Sequence, residues 1–224
     1  MYNRNIAQRQ TNEGKNNMIK ITLLGDSIRE QYAPHVRNLL GKDFEIFEPQ
    51  ENCRFSKYTL RGLYDWQVDM RGSRIVHWNN GMWDCCDLLG EGLFTREDEY
   101  VVNMLRIADI LLERFGTVIF ATTTAVKDNN AFNENDNIIR YNEIIVPPLR
   151  EKGVIINDLH SLVVSNKDAY ISDDLVHLTE AGVKACAKQV ADVILKAAEN
   201  LTDENAPSFD WDDKNRKGAP ILFR

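Results

Sequence analysis

Five short apolar runs alternate with helix-like segments between residues 18 and 199, and this alternation restricts the fold more than any other feature. The runs are 18–24, Phe44–Phe47, Arg74–Trp78, Thr117–Thr122 and Gly153–Asn157. They are almost continuously apolar or β-branched, as strands buried on both faces are. Between them the spacing predicts helices over 33–40, 59–69, 96–115, 134–151 and 179–199. The clearest is 96–115, where Tyr100, Met104, Ala108, Leu111 and Phe115 recur at helical spacing before Gly116. Pro34 marks the start of the first helix, and Pro147-Pro148 is expected to break or kink the fourth. Strands and helices in this order point to a parallel sheet covered by helices on both faces. All strands then end at one edge, where open sheets of this kind hold ligands. Gly25-Asp26-Ser27, Asn79-Asn80-Gly81, Thr122-Thr123-Thr124 and Asn157-Asp158 all fall at that edge.

Composition narrows the function. A net charge of −7 argues against a broad nucleic-acid surface and against an anionic membrane surface. No apolar stretch approaches the roughly 18 residues that span a bilayer. Residues 1–17 read as a polar N-terminal extension without an apolar signal core, which points to a cytoplasmic protein. The domain is expected over 18–202. A tail over 203–224 ends in the apolar Pro220-Ile221-Leu222-Phe223, placed to pack along the domain or on a partner chain. Cys53, Cys85, Cys86 and Cys186 form no zinc pattern and no disulfide framework, so no metal is expected and the thiols are read as reduced.

Ser27 follows the first strand directly, and Asp174-Leu175-Val176-His177 directly precedes the last helix. A serine hydroxyl needs a base to become a nucleophile, and the base needs an orienting group. The two segments supply all three. On these residues the chain resembles the SGNH/GDSL hydrolases, over roughly 18–199. The Gly-Asp-Ser block is Gly25-Asp26-Ser27, and the Asp-x-x-His block is Asp174 to His177. The resemblance implies Ser27 as nucleophile, His177 as general base and acid, and Asp174 as its orienting group. It also implies an oxyanion hole built from the Ser27 amide, a second-block glycine, best matched by Gly62, and a third-block asparagine. That third block normally reads Gly-x-Asn-Asp. Here Gly81-Met82-Trp83-Asp84 carries Trp83 where asparagine is expected. Asn79 and Asn80 lie just upstream, and a divergent version reading about His-Phe-Asn-x-Gly-x-His-Asp favours Asn79. The implied fold is a flavodoxin-like three-layer α/β/α sandwich with a five-stranded parallel sheet.

Other residues have plainer readings. Asp26 is expected to accept hydrogen bonds from loop amides, and His77 to be a satisfied core group. Asp174 can cap the last helix, a task Asp173 or Thr179 would perform equally well. His160 follows the fifth strand and can reach the same edge, without a carboxylate spaced like Asp174. Trp66, Trp78 and Trp83 are core residues or a stacking surface for a sugar or small acyl group, with Asn80 as a further polar contact. Arg54 and Arg61 can meet an anionic group. Cys85 and Cys86 lack a histidine to activate them. The function expected is a cofactor-free serine esterase acting on small, short-acyl esters, with O-acetylated carbohydrate as the favoured substrate. The alternatives are a catalytically impaired carbohydrate- or partner-binding module and an acyltransferase. Oligomeric state is not readable.

Overall fold

The structure is a computed structural model that describes residues 18–202, 206–213 and 217. The strands β1 (Ile19–Leu24), β2 (Phe44–Phe47), β3 (Ile75–Trp78), β4 (Thr117–Ala121) and β5 (Ile155–Asn157) form one sheet in the order β2-β1-β3-β4-β5. Every pairing is parallel. Side chains alternate across it as the pleat requires. Ile21, Leu23, Ile119 and Ala121 face α1 (Ser27–Leu40), α5 (Leu159–Val164) and α7 (Glu180–Glu199). Leu24, Val76, Trp78, Val118 and Phe120 face α2 (Ser56–Met70), α3 (Glu97–Phe115) and α4 (Asn135–Glu151). This is the expected three-layer α/β/α sandwich. The strand order reverses between β1 and β3, where the Asn79 amide donates to the Leu24 carbonyl at 3.2 Å. A crevice at such a reversal is where this fold class binds ligands.

The helix boundaries depart from expectation in two instructive places. α1 begins at Ser27, not at Pro34, because the Asp26 side chain caps it by accepting from Ile28 N at 3.0 Å. Pro34 sits inside the helix, and the carbonyl it leaves unbonded belongs to Glu30, which is exposed to water. α4 likewise continues through Pro147-Pro148. Pro147 and the Glu143 carbonyl it strands lie on the exposed side near the helix end, where water replaces the lost donor. Two short helices, α5 and α6 (Lys167–Tyr170), fill the connection after β5 and carried no clear periodicity.

The four cysteines are free and buried. Part of the tail packs on the domain: Trp211 lies 5.6 Å from the Phe115 ring, and Asp212 pairs with Arg71 at 3.0 Å. The N-terminal extension over 1–17 and the apolar end over 220–223 lie outside the described residues. Among the described residues no helix is long and apolar enough to cross a membrane.

His77 is fully buried on β3, as expected of a core group. Its Nε2 lies 3.1 Å from Asn157 Nδ2, and its Nδ1 lies 3.5 Å from the Tyr32 hydroxyl. Burial pushes its pKa down to about 3. The unfolded chain therefore binds a proton below pH ~6.5 that the folded chain refuses, so this residue removes stability as pH falls from there toward 3. Between pH 7 and pH 5, wild type is expected to lose about 2 kcal/mol more stability than His77→Asn. Urea unfolding of both proteins at the two pH values checks this. Equal losses would contradict it.

Candidate active site

Ser27 owes its position to the turn before it. Gly25 follows β1, and a Cβ there would stand 1.9 Å from Asn79 Oδ1 and 2.7 Å from Arg29 Cβ, so only glycine lets β3 and α1 converge at this point. Asp26 then caps α1, and Ser27 becomes its first residue. The Ser27 amide makes no hydrogen bond among the described residues, and it lies at the positive end of the helix. Arg29, buried one turn on, binds the carbonyls of Gly25 at 3.3 Å and Glu51 at 2.9 Å. Cys53 N also donates to Gly25 O at 3.0 Å. The loop after β2 is thereby fastened to the serine turn.

The candidate base comes from the other end of the chain. An isolated bridge between Ile171 and Leu178 closes a tight loop, and Asp174 organises its interior. One carboxylate oxygen accepts from Ser172 Oγ at 2.8 Å, Val176 N at 3.0 Å and His177 N at 2.8 Å. The other lies 2.7 Å from His177 Nδ1. His177 Nε2 lies 2.9 Å from Ser27 Oγ. Partial burial raises the Asp174 carboxyl pKa, but those two amides and the Ser172 and His177 side chains outweigh it and hold it well below the usual carboxylate range. Asp174 thus stays ionised toward the imidazole. It does not cap α7, since Thr179 does that by accepting from Gly182 N at 3.2 Å. Gln31 on α1 clamps both backbone groups of Leu178, at 3.0 and 3.2 Å, so the serine's own helix fixes the histidine loop.

The remaining candidates divide. Asn79 is buried against Asp26 and hydrogen-bonds its carboxylate, while Asn79 Oδ1 has no partner over Gly25. Burial pushes the Asp26 carboxyl above its ordinary range, against the bonds from Asn79 and Ile28 N. Asn80 is tied elsewhere: its Oδ1 accepts from Trp78 Nε1 and its Nδ2 donates to Arg54 O, both at 2.9 Å. Trp78 is core, packed on Phe120 at 4.8 Å. Arg54 is exposed and stacks on Tyr58 at 4.9 Å, away from the cavity that holds Ser27. Gly62 is not brought to the site. It lies in the second turn of α2 under the Trp66 ring, where a Cβ would meet that ring at 2.2 Å and the amide belongs to the helix ladder.

The divergent third block has a structural logic. Asp84 is fully buried and caps α2 from outside, accepting from Ser56 N at 2.9 Å and Ser56 Oγ at 2.6 Å. Burial pushes its carboxyl up to about 6, partly offset by the bonds from Ser56 and Thr95. Trp83 is turned outward instead, to the rim of a cavity of about 410 Å³ that also holds Ser27, Asp174 and His177. Sequence reasoning missed much of this wall: Met82, Leu88, Phe132 and Leu175 line it too. The only sequence signal was the polar Lys127–Asn135 loop following the fourth strand at the active edge. Cys86 also lines the cavity, but burial pushes its thiol up to about 11, so it is no thiolate at neutral pH. His160 opens onto a separate cavity of about 220 Å³ with Asp158, away from Ser27.

The three-layer sheet with this serine turn and histidine loop has the fold of the SGNH/GDSL hydrolases. No protein-family model matches the chain, and no curated protein matches its sequence. Solved structures match its fold. An acetyl xylan esterase aligns with a TM-score of 0.67 at 19% identity, covering 79% of this chain and 100% of its own. A lipase/acylhydrolase from Enterococcus faecalis aligns at 0.67 and 16% identity, covering 80% and 97%. A carbohydrate esterase family 3 protein from Talaromyces cellulolyticus aligns at 0.61 and 18% identity, covering 83% and 100%.

Proposed function

We propose that the protein is a serine hydrolase of small carboxylic esters. The supporting observation is the continuous relay from Ser27 Oγ to His177 Nε2 at 2.9 Å and from His177 Nδ1 to Asp174 Oδ2 at 2.7 Å. In this reading Ser27 Oγ attacks the ester carbonyl carbon while His177 Nε2 takes its proton. The carbonyl oxygen becomes an oxyanion. Collapse breaks the carbon–oxygen bond to the alcohol, whose oxygen receives the proton from His177. Water then attacks the acyl-Ser27 ester with His177 again as base, releasing the acid and restoring the serine. The Ser27 amide and the Asn79 side chain hold the oxyanion. An asparagine amide group carries two hydrogens. One of those on Asn79 serves Asp26, leaving the other for substrate, which makes Asp26 a positioning residue.

Turnover of p-nitrophenyl acetate, and its loss after treatment with a serine-directed phosphonate, tests this reading. Asn79→Ala is expected to lower kcat by about 10²–10³-fold, the usual cost of one oxyanion donor. An unchanged kcat would remove Asn79 from the oxyanion hole. The finer substrate reading is a short acyl group, with O-acetylated carbohydrate favoured. Two of the structural neighbours are described as an acetyl xylan esterase and a carbohydrate esterase, and Trp83 offers an aromatic face at the cavity rim.

A further inference from the structure

The cavity beside Ser27 is walled on one side by Leu175 and Val176, the residues that lead into His177. Trp83, Cys86, Leu88 and Phe132 line the same cavity. Three of these side chains stay open to water: Trp83 is 37% exposed, Leu88 43% and Phe132 52%. Large apolar side chains left uncovered around a cavity mark a surface that a ligand completes. Their placement is built. Asp87 N donates to Phe132 O at 2.8 Å, joining the two loops. The Asp87 carboxylate also accepts from Gly90 N at 2.7 Å and Gly92 N at 3.3 Å, holding the turn that presents Leu88. The volume of about 410 Å³ far exceeds what an acetyl group needs.

The direction of proton transfer says which half of the ester this cavity receives. His177 Nε2 delivers its proton to the leaving oxygen, so the alcohol must lie over the imidazole, beside Leu175 and Val176. The oxyanion must face the Ser27 amide and Asn79. Beside Asn79 lies a small cavity of about 10 Å³, among Asp26, Asn79 and Thr122–Thr124. Resting on the hydrolase reading above, we propose that the substrate is a short-acyl ester of an alcohol bearing an apolar group of about six carbons. That group seats between Trp83, Leu88 and Phe132. Within the O-acetylated carbohydrates favoured above, this selects an acetylated sugar carrying an apolar substituent over the acetate of a bare polysaccharide, whose alcohol half is polar throughout.

Two ester series test the proposal. With acetate fixed, kcat/KM should rise from ethyl through butyl to hexyl acetate by up to about four-fold per methylene, the value of burying one such group. With p-nitrophenol fixed, lengthening the acyl group from acetate to octanoate should lower kcat/KM. Trp83→Ala and Phe132→Ala should each reduce the hexyl-to-ethyl ratio by about ten-fold or more. A flat alcohol series, a rising acyl series, or ratios unmoved by both variants would overturn the proposal while leaving the hydrolase reading intact. Ser27→Ala supplies the independent arm. Hexyl acetate should bind it and change its tryptophan fluorescence, and the change should vanish in Ser27→Ala/Trp83→Ala. Absence of that binding would overturn the proposal whatever the turnover. Binding without any Ser27-dependent hydrolysis would instead sink the hydrolase reading and keep the apolar site.

Discussion

Ser27→Ala is expected to lower kcat on p-nitrophenyl acetate by about 10⁶-fold, the scale seen when a triad serine is removed elsewhere. On the proposed mechanism the change deletes the attacking atom, since His177 Nε2 has Ser27 Oγ at 2.9 Å and the nearby Cys86 thiol is held protonated by burial. The fold should survive. Asp26, not Ser27, caps α1, and alanine is well suited to a first helical turn. Thermal unfolding within a few degrees of wild type would separate loss of chemistry from loss of structure. A kcat within ten-fold of wild type would mean that Ser27 is not the nucleophile.

Asp174→Asn is expected to cost about 10⁴-fold in kcat with little loss of structure, by analogy with the same change in a serine-protease triad. The oxygen that accepts from Ser172 Oγ, Val176 N and His177 N has a counterpart in asparagine, so the loop can keep its shape. The oxygen 2.7 Å from His177 Nδ1 becomes an NH₂ donor. His177 must then present a bare Nδ1 to it and carry its proton on Nε2, facing Ser27. That tautomer cannot accept the serine proton. Steady-state kinetics beside a melting curve check this. A drop below ten-fold would reduce Asp174 to a loop-building residue.

Much of this arrangement was legible because its signals are local. Strand-length apolar runs ending in Gly25, Asn79 and Asn157 place the active edge without any knowledge of contacts. The serine and histidine segments announce themselves by position along the chain. The misreadings have tertiary causes. Pro34 looked like a helix start, but the start is set by the Asp26 cap, and a proline on a wet helix face costs little where water serves the freed carbonyl. Gly62 seemed a plausible oxyanion donor because nothing local shows that α2 begins at Ser56. That start is fixed by Asp84, 28 positions away. Asn79 and Asn80 are adjacent and chemically identical, and only the indole of Trp78 and the carbonyl of Arg54 distinguish them. The Phe132 wall of the cavity depends on a bond between Asp87 and Phe132, which no periodicity encodes.

The most direct measurement is the site of a covalent adduct. Wild-type protein treated with a fluorophosphonate should gain one phosphonyl group per chain, and peptide mass spectrometry should locate it on Ser27. His177→Ala should label at least a hundred-fold more slowly, because the serine would lack its base. An adduct on Cys86 or another side chain, or no adduct at concentrations that saturate ordinary serine esterases, would contradict the account of Ser27 as a nucleophile activated by His177.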